Sequence, residues 1–165
     1  MEKDDHVVEP SFQILTLQNP QFATYLIVSA LLILKMNALI LLTIYHRMKN
    51  KVVISPEDAQ FKEGTVVGSH PDVDRVRRAF QNDLENIPAF LVIGLLYLWV
   101  SSPDWAVHTL YYLFFLARLG HTLVYAVYVV PQPSRAICFF LGFLILEYMC
   151  CHVVVYAILK GYHGH

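Results

Sequence analysis

The stretch Arg77–Phe90, RRAFQNDLENIPAF, runs directly into residues 91–100, LVIGLLYLWV. Its uninterrupted apolar part, Ile87–Val100, has only 14 residues. At about 1.5 Å of rise per residue, that is too short for a hydrocarbon core about 30 Å thick. A membrane-crossing helix here must borrow one or two turns from AFQNDLEN. Asn82, Asp83, Glu85 and Asn86 then sit at or inside the membrane boundary. Polar groups at that depth are costly unless they face protein or water. The competing explanation is a short buried helix in a soluble protein.

Three other segments decide between the two. Tyr25–Tyr45 is interrupted only by Lys35 and Asn37; Trp105–Val130 carries Arg118 and His121; Ala136–Leu159 carries Glu147 and His152. Each supplies the roughly 20 residues that a spanning helix needs. Hydrophobic residues make up 56% of the 165-residue chain and charged residues 15%, well below the level of about 25% usual in soluble proteins. Mean hydropathy is +0.48. Lipid cannot satisfy an open backbone, so the expected fold is an all-α, four-helix transmembrane bundle.

The expected organisation is a polar N-terminal tail (1–24), a single four-span membrane domain (25–160) and a polar C-terminal tail (161–165) holding His163 and His165. The start MEKDDHVVEP is acidic and lacks the basic-then-apolar pattern of a signal peptide. No internal repeat, glycine-rich phosphate loop or low-complexity tract stands out. A net charge of −1 gives no reason to expect a nucleic-acid partner. Cys138, Cys150 and Cys151 lie in an apolar run without metal-ligand spacing and read as small hydrophobes. The histidines show no ligand spacing on a span, so no metal is expected.

Helical spacing sorts the polar groups within the spans. Arg78, Asn82 and Glu85 share one face at i, i+4 and i+7; Arg118, His121 and Tyr125 share another at i, i+3 and i+7. Arg47 closes the first span and Arg135 opens the fourth, after PQPS. Two explanations stand side by side. The groups form a helix-packing network, with Arg118 neutralising Glu85 or another acid, or they hold a ligand. Lys35 and Asn37 read as groups that hold helices together. Glu147 and His152, about 140° apart on a helical wheel, form no obvious pair and read as structural or snorkelling. As a ligand site, the arginines, carboxylate, amide, histidine and tyrosine suit a small zwitterion rich in carboxylates. The adjoining apolar helix faces suit a lipophilic second substrate arriving from the bilayer.

The sequence DRVRRAFQNDLENIPAFLVIGLLY resembles the signature of the MAPEG family, the membrane-associated proteins of eicosanoid and glutathione metabolism. LKMNALIL, SPEDA and ARLGHTLVY followed by PQPSRA agree, so the resemblance covers about residues 25–145. It is strongest to the family's glutathione-transferase branch and next strongest to its prostaglandin-E-synthase branch. It implies a homotrimer in the endoplasmic reticulum membrane, with the mitochondrial outer membrane as a further location. It also implies glutathione held between neighbouring subunits near the cytosolic face, as cosubstrate or cofactor. The glutathione contacts carried over are Arg47, Arg78, Asn82, Glu85, His121, Tyr125 and Arg135; Arg77 matches an arginine of the transferase branch. Arg118 joins this set through its shared face with His121 and Tyr125. Asp58, in SPEDA, matches an aspartate proposed to assist catalysis in the synthase branch.

Departures separate the branches. Ala136 and Phe139 stand where the synthase has serine and tyrosine, and the transferase also has alanine after the matching arginine. Phe80 stands where both carry histidine, and Gln81 where the synthase has arginine. Ala59 stands where some transferases have a reactive cysteine. The implied activity is conjugation of glutathione to lipophilic electrophiles, with reduction of lipid hydroperoxides beside it. Arg135 would stabilise the thiolate, with Asp58 as the second catalytic candidate. The alternatives are glutathione-dependent isomerisation of a prostaglandin endoperoxide and a non-catalytic lipid-binding role.

Basic residues orient the chain. The first loop holds Arg47, Lys49, Lys51, Lys62, Arg75, Arg77 and Arg78, the second (SSPD) none, and the third Arg135. Loops one and three should therefore face the cytosol and both termini the lumen. In sealed microsomes a C-terminal tag should resist added protease, and its cleavage without detergent would refute this topology.

Overall fold

The computed structural model describes residues 14–60 and 64–163; Lys62, His165 and the first 13 residues of the expected N-terminal tail lie outside the described residues. Four long helices carry the fold: α1 (Pro20–Asn50), α3 (Pro71–Tyr97), α4 (Asp104–Thr122) and α5 (Ser134–His163). A short α2 (Pro56–Gln60) lies in the loop between α1 and α3. In the same loop β1 (Val52–Val53) and β2 (Val66–Val67) pair in parallel, Val52 with Val66 and Val53 with Val67.

Local chemistry fixes the helix ends. Asn19 caps α1, its side chain accepting from the Gln21 N–H at 3.0 Å, and Pro20 takes the first position, where no N–H is needed. The helix thus starts ahead of Tyr25, and residues 20–24, expected in the tail, belong to the bundle. Lys51 ends α1 in the left-handed conformation (φ 53°) and returns its N–H to the carbonyls of Arg47 and Met48. His70 caps α3 ahead of Pro71, with Asp72 and Asp74 in the first turn.

α1, α4 and α5 are each long and apolar enough to cross a membrane. α3 is the fourth member of the bundle and runs unbroken through AFQNDLEN, so the short apolar stretch does borrow polar turns. It turns Asp83 and Asn86 inward, while Gln81 and Glu85 stay exposed. Leu34, Leu41, Ile137 and Leu144 remain more than 60% exposed, an inversion of soluble packing that suits lipid or another chain.

An aromatic stack joins α3 to α4. Phe90 lies parallel to Phe114 with centroids 4.2 Å apart and meets Tyr111 edge-on at 5.6 Å. The Tyr111 hydroxyl donates to the Gly94 carbonyl at 2.7 Å. The Tyr25 hydroxyl of α1 donates to the Leu91 carbonyl at 2.8 Å. At Gly94 a Cβ would stand 3.3 Å from the Tyr25 ring, so the absent side chain admits α1. On α5 the His152 ring meets the Tyr97 hydroxyl at 2.8 Å, which accounts for one of the two polar groups of that span.

The polar centre of the bundle is Asp83, fully buried on α3. Lys35 of α1 bonds one of its carboxylate oxygens. Arg118 of α4, also fully buried, donates to the other through Nη2 at 2.7 Å and Nε at 3.3 Å. Gly142 of α5 packs against it, and a Cβ there would lie in ordinary contact, 3.4 Å from Arg118 Cδ. One carboxylate therefore ties three helices.

Truncating Asp83 strands two buried cations. Breaking such a pair costs about 3–5 kcal/mol, or roughly 10 °C in unfolding temperature at this size. Asp83→Leu should show that loss in detergent. The triple change Lys35→Met, Asp83→Leu, Arg118→Met should recover most of it, because matched apolar replacements of buried ion pairs are often neutral. Thermal unfolding of the purified variants reads both, and a triple variant as unstable as the single would refute the account.

Candidate functional site

A cavity of about 500 Å³ opens where the start of α3, the end of α4 and the start of α5 meet. It is lined by Arg78, Gln81, Asn82 and Glu85 from α3, His121 from α4, Tyr125 from the segment after it, and Gln132, Arg135, Ala136, Phe139 and Phe140 from the α5 side. Six expected residues thus converge on it: Arg78, Asn82, Glu85, His121, Tyr125 and Arg135.

The segment after α4 explains how Tyr125 gets there. Residues Leu123–Val127 form a π-helical turn, wider than the α-helix it continues. The Tyr128 N–H bonds the Leu123 carbonyl at 2.9 Å and the Val130 N–H the Val124 carbonyl at 2.8 Å. Val129, which is β-branched, follows with φ 52°, an unusual conformation for such a residue. The turn aims Tyr125 between two arginines. Its hydroxyl accepts from Arg78 Nε at 3.0 Å, and the Arg135 guanidinium lies over its ring, 4.6 Å from the centroid. His121 and Tyr125 rings lie 5.6 Å apart.

The charges of the cavity are unspent. Among the described residues Arg78, Arg135 and Glu85 make no ion pair. Arg135 is steadied by the Val130 carbonyl, which accepts from Nε at 3.0 Å, and Glu85 meets only the Gln81 amide, at 3.5 Å. Among the described residues His121 Nδ1 is buried with no partner. Asn82 links the cavity to the core: its Oδ1 accepts from Arg118 Nη2 at 2.5 Å, leaving its amide N–H groups for the cavity. The cavity offers two cations, a carboxylate, an amide donor and an imidazole, with Phe139 and Phe140 beside Arg135 on its α5 side. It can hold a zwitterion beside an apolar molecule.

Four expected residues lie elsewhere in the chain. Arg118 sits fully buried behind the cavity, its charge engaged by Asp83 rather than by Glu85. Two residues separate Asp83 from Glu85, about 200° on the helical wheel, so they face opposite ways. Arg47 and Asp58 line a separate, mostly apolar cavity of about 260 Å³ with Lys51 and Ile54. Arg77 lines an outer groove that also touches Arg78 and Gln81. Gln132 and Phe140 were missed as lining residues: neither belongs to a polar face pattern, and only the fold of the loop and α5 brings them in. Among the described residues no cluster of three or more His, Cys, Asp or Glu is arranged for a metal.

A four-helix membrane bundle with a polar cavity at its basic end narrows the class, and sequence comparison names it. The chain belongs to the MAPEG family, whose model matches residues 25–155. It is 40% identical over 133 residues to microsomal glutathione S-transferase 1 of Bos taurus, covering 77% of this chain and 84% of the relative. Identity to the Mus musculus protein of the same name is 44% over 107 residues, 61% of this chain and 68% of that one. Prostaglandin E synthase of Bos taurus is 33% identical over 142 residues, 85% and 92% of the two chains.

Proposed function

We propose that the protein is a membrane-bound glutathione transferase that joins glutathione to lipophilic electrophiles and reduces lipid hydroperoxides. The observation that carries this reading is the convergence of unpaired Arg78, Arg135 and Glu85 on one cavity with an apolar wall. Glu85 receives the amino group of glutathione, and Arg78 and Asn82 its carboxylate groups. Arg135 faces the sulfur. Phe139 and Phe140 line the approach of the electrophile from the bilayer. Arg47, Arg77 and Asp58 reach glutathione from a neighbouring subunit of a homotrimer in the endoplasmic reticulum membrane, as the family resemblance implies. The mitochondrial outer membrane is a further location.

The chemistry uses charge more than proton transfer. A free thiol of pKa near 8.5 is only a few per cent thiolate at neutral pH, and the thiolate is the nucleophile. Arg135 stabilises that anion, and the proton leaves to solvent. The sulfur then attacks the electrophilic carbon: a C–S bond forms, the bond to the leaving group breaks, and the leaving group departs with its electron pair. With an aryl chloride the products are the thioether and chloride.

The similarity to prostaglandin E synthase favours a second reading, glutathione-dependent isomerisation of a prostaglandin endoperoxide. Purified protein assayed side by side with a chromogenic aryl halide and with an endoperoxide separates the two. Conjugation that outpaces isomerisation supports the transferase, and isomerisation alone overturns it.

Two variants test the assignments. Glu85→Gln removes the charge that pairs with the ammonium, and hydrogen bonds to charged groups contribute about 1.5–3 kcal/mol, so glutathione affinity should fall about tenfold or more by titration. Wild-type binding by this variant would make the carboxylate structural. Arg135→Leu should lose most turnover while the ultraviolet titration midpoint of bound thiolate moves up toward that of free glutathione. Each unit of that shift corresponds to about 1.4 kcal/mol of lost stabilisation. An unchanged midpoint with unchanged turnover would remove Arg135 from the reaction.

A further inference from the structure

Two side chains bring hydrogen-bond donors to the cavity from its α5 side. Arg135 is one and Gln132 is the other, and Ala136, Phe139 and Phe140 complete that side. Ser134, the remaining polar side chain there, is spent on its own turn: its hydroxyl donates to the Pro131 carbonyl at 2.7 Å.

Gln132 has only half of its amide engaged. Its Oε1 accepts from the Ala136 N–H at 3.3 Å, which satisfies a backbone donor in the first turn of α5. A side-chain amide carries a carbonyl oxygen and two N–H donors. With the oxygen committed to the backbone, the N–H groups are what Gln132 has left for the cavity. Among the described residues they make no hydrogen bond. Gln132 is exposed, so these donors are open to an incoming molecule. Capping needs only the acceptor and leaves the donors without a role.

Charge moves during the proposed reaction, and Arg135 serves only its start. As the sulfur bonds to carbon its negative charge falls, and its attraction to Arg135 falls with it. Only interactions that are stronger in the transition state than in the ground state speed the chemical step. A donor placed where the charge arrives adds what Arg135 alone cannot. With an α,β-unsaturated carbonyl compound, that place is the carbonyl oxygen. The C–S bond forms at the β carbon, the carbon–carbon π pair shifts toward the carbonyl carbon, and the carbonyl π pair moves onto oxygen. Solvent then protonates the enolate at the α carbon. With benzyl chloride the charge leaves on chloride, and no oxygen takes it up.

We propose that the Gln132 amide donates a hydrogen bond to the oxygen of the second substrate that takes up this charge, so that Gln132 sets a preference for conjugated carbonyl electrophiles over benzylic halides. The inference rests on the transferase reading above and deepens it. Arg78, Asn82 and Glu85 on the α3 side serve the polar groups of glutathione itself. Gln132 lies instead on the side of Arg135, which faces the sulfur, and of Phe139 and Phe140, along which the electrophile enters. As a neutral donor it stabilises the new charge without opposing the field of Arg135.

The test uses the full chain, purified and preloaded with glutathione, then mixed in single turnover with 2-nonenal or with benzyl chloride. The thioether formed is measured by mass spectrometry after quenching. The readout is the ratio of the two rates, in which any change of the thiolate itself cancels. Gln132→Met removes both the cap and the donors; Gln132→Glu keeps an acceptor for the Ala136 N–H and removes the donors. Both should lower the ratio about tenfold, the loss expected for one hydrogen bond to a charged group. The titration midpoint of bound thiolate in Gln132→Met should stay at the wild-type value. A wild-type ratio in both variants, or in Gln132→Glu alone, would show that Gln132 only caps α5 and would overturn its role toward the substrate. Wild-type protein that converts neither electrophile would sink the transferase reading, and this inference with it.

Discussion

One carboxylate holds the bundle in its arrangement. Asp83 is fully buried, so its charge is tolerable only because Lys35 and Arg118 reach it from two other helices. That requirement fixes the rotation of α3 about its own axis. With Asp83 turned inward, Glu85 must face the opposite way, and Arg78 lies on the same outward face. The core charges thus orient the outer ones. Asn82 sits between the two sets, its carbonyl oxygen taken by Arg118, so its amide is presented to the cavity as a donor.

Apolar packing fixes the height of α3 as the ion cluster fixes its rotation. The Phe90–Phe114 stack and the Tyr111 bond to Gly94 pin the lower half of α3 against α4. Pro88, inside α3, cannot donate to the carbonyl four residues back; it lies exposed, and the buried Ile87 and Phe90 near it hold the helix to its neighbours. The cavity therefore rests on a rigid platform on its α3 side. Its other side is built from the π-helical turn and the loop before α5, where Tyr125 and Arg135 take their positions from backbone geometry.

Most of this was legible in the sequence because membrane insertion punishes stray charge. The length of Ile87–Val100, set beside three longer apolar segments, implied that polar turns enter the bundle, and three-and-four spacing put Arg78, Asn82 and Glu85 on one face. Arg118 was harder. Grouped with His121 and Tyr125 by spacing, it read as a ligand residue or a neutraliser of Glu85, yet it serves Asp83. The missing step was a balance of charges: Lys35, Asp83 and Arg118 each lie within the helical bundle and must meet one another. The π-helical turn left no comparable trace, since its apolar sequence LVYAV fits an ordinary helix equally well. The separation of Arg47 and Asp58 from the main cavity depends on the path of the loop after α1, which no periodicity encodes.

On the proposed reading, the manner in which Arg135 is held matters as much as its position. A carboxylate partner would fix the guanidinium but also neutralise it, and an incoming anion would have to displace that partner. The Val130 carbonyl and the Tyr125 ring restrain it while leaving its full charge available. Behind the wall the buried cluster contains two cations and one carboxylate, so its formal charge adds to that of the cavity arginines rather than opposing it. A thiol gains little from such a field and a thiolate gains much, which is the condition for electrostatic stabilisation to favour the reactive form over mere binding. Glu85 is the counterweight. Placed on the same face of α3 as Arg78, it gives the site a negative pole for an ammonium group, so a zwitterion fits where a simple dianion would meet repulsion.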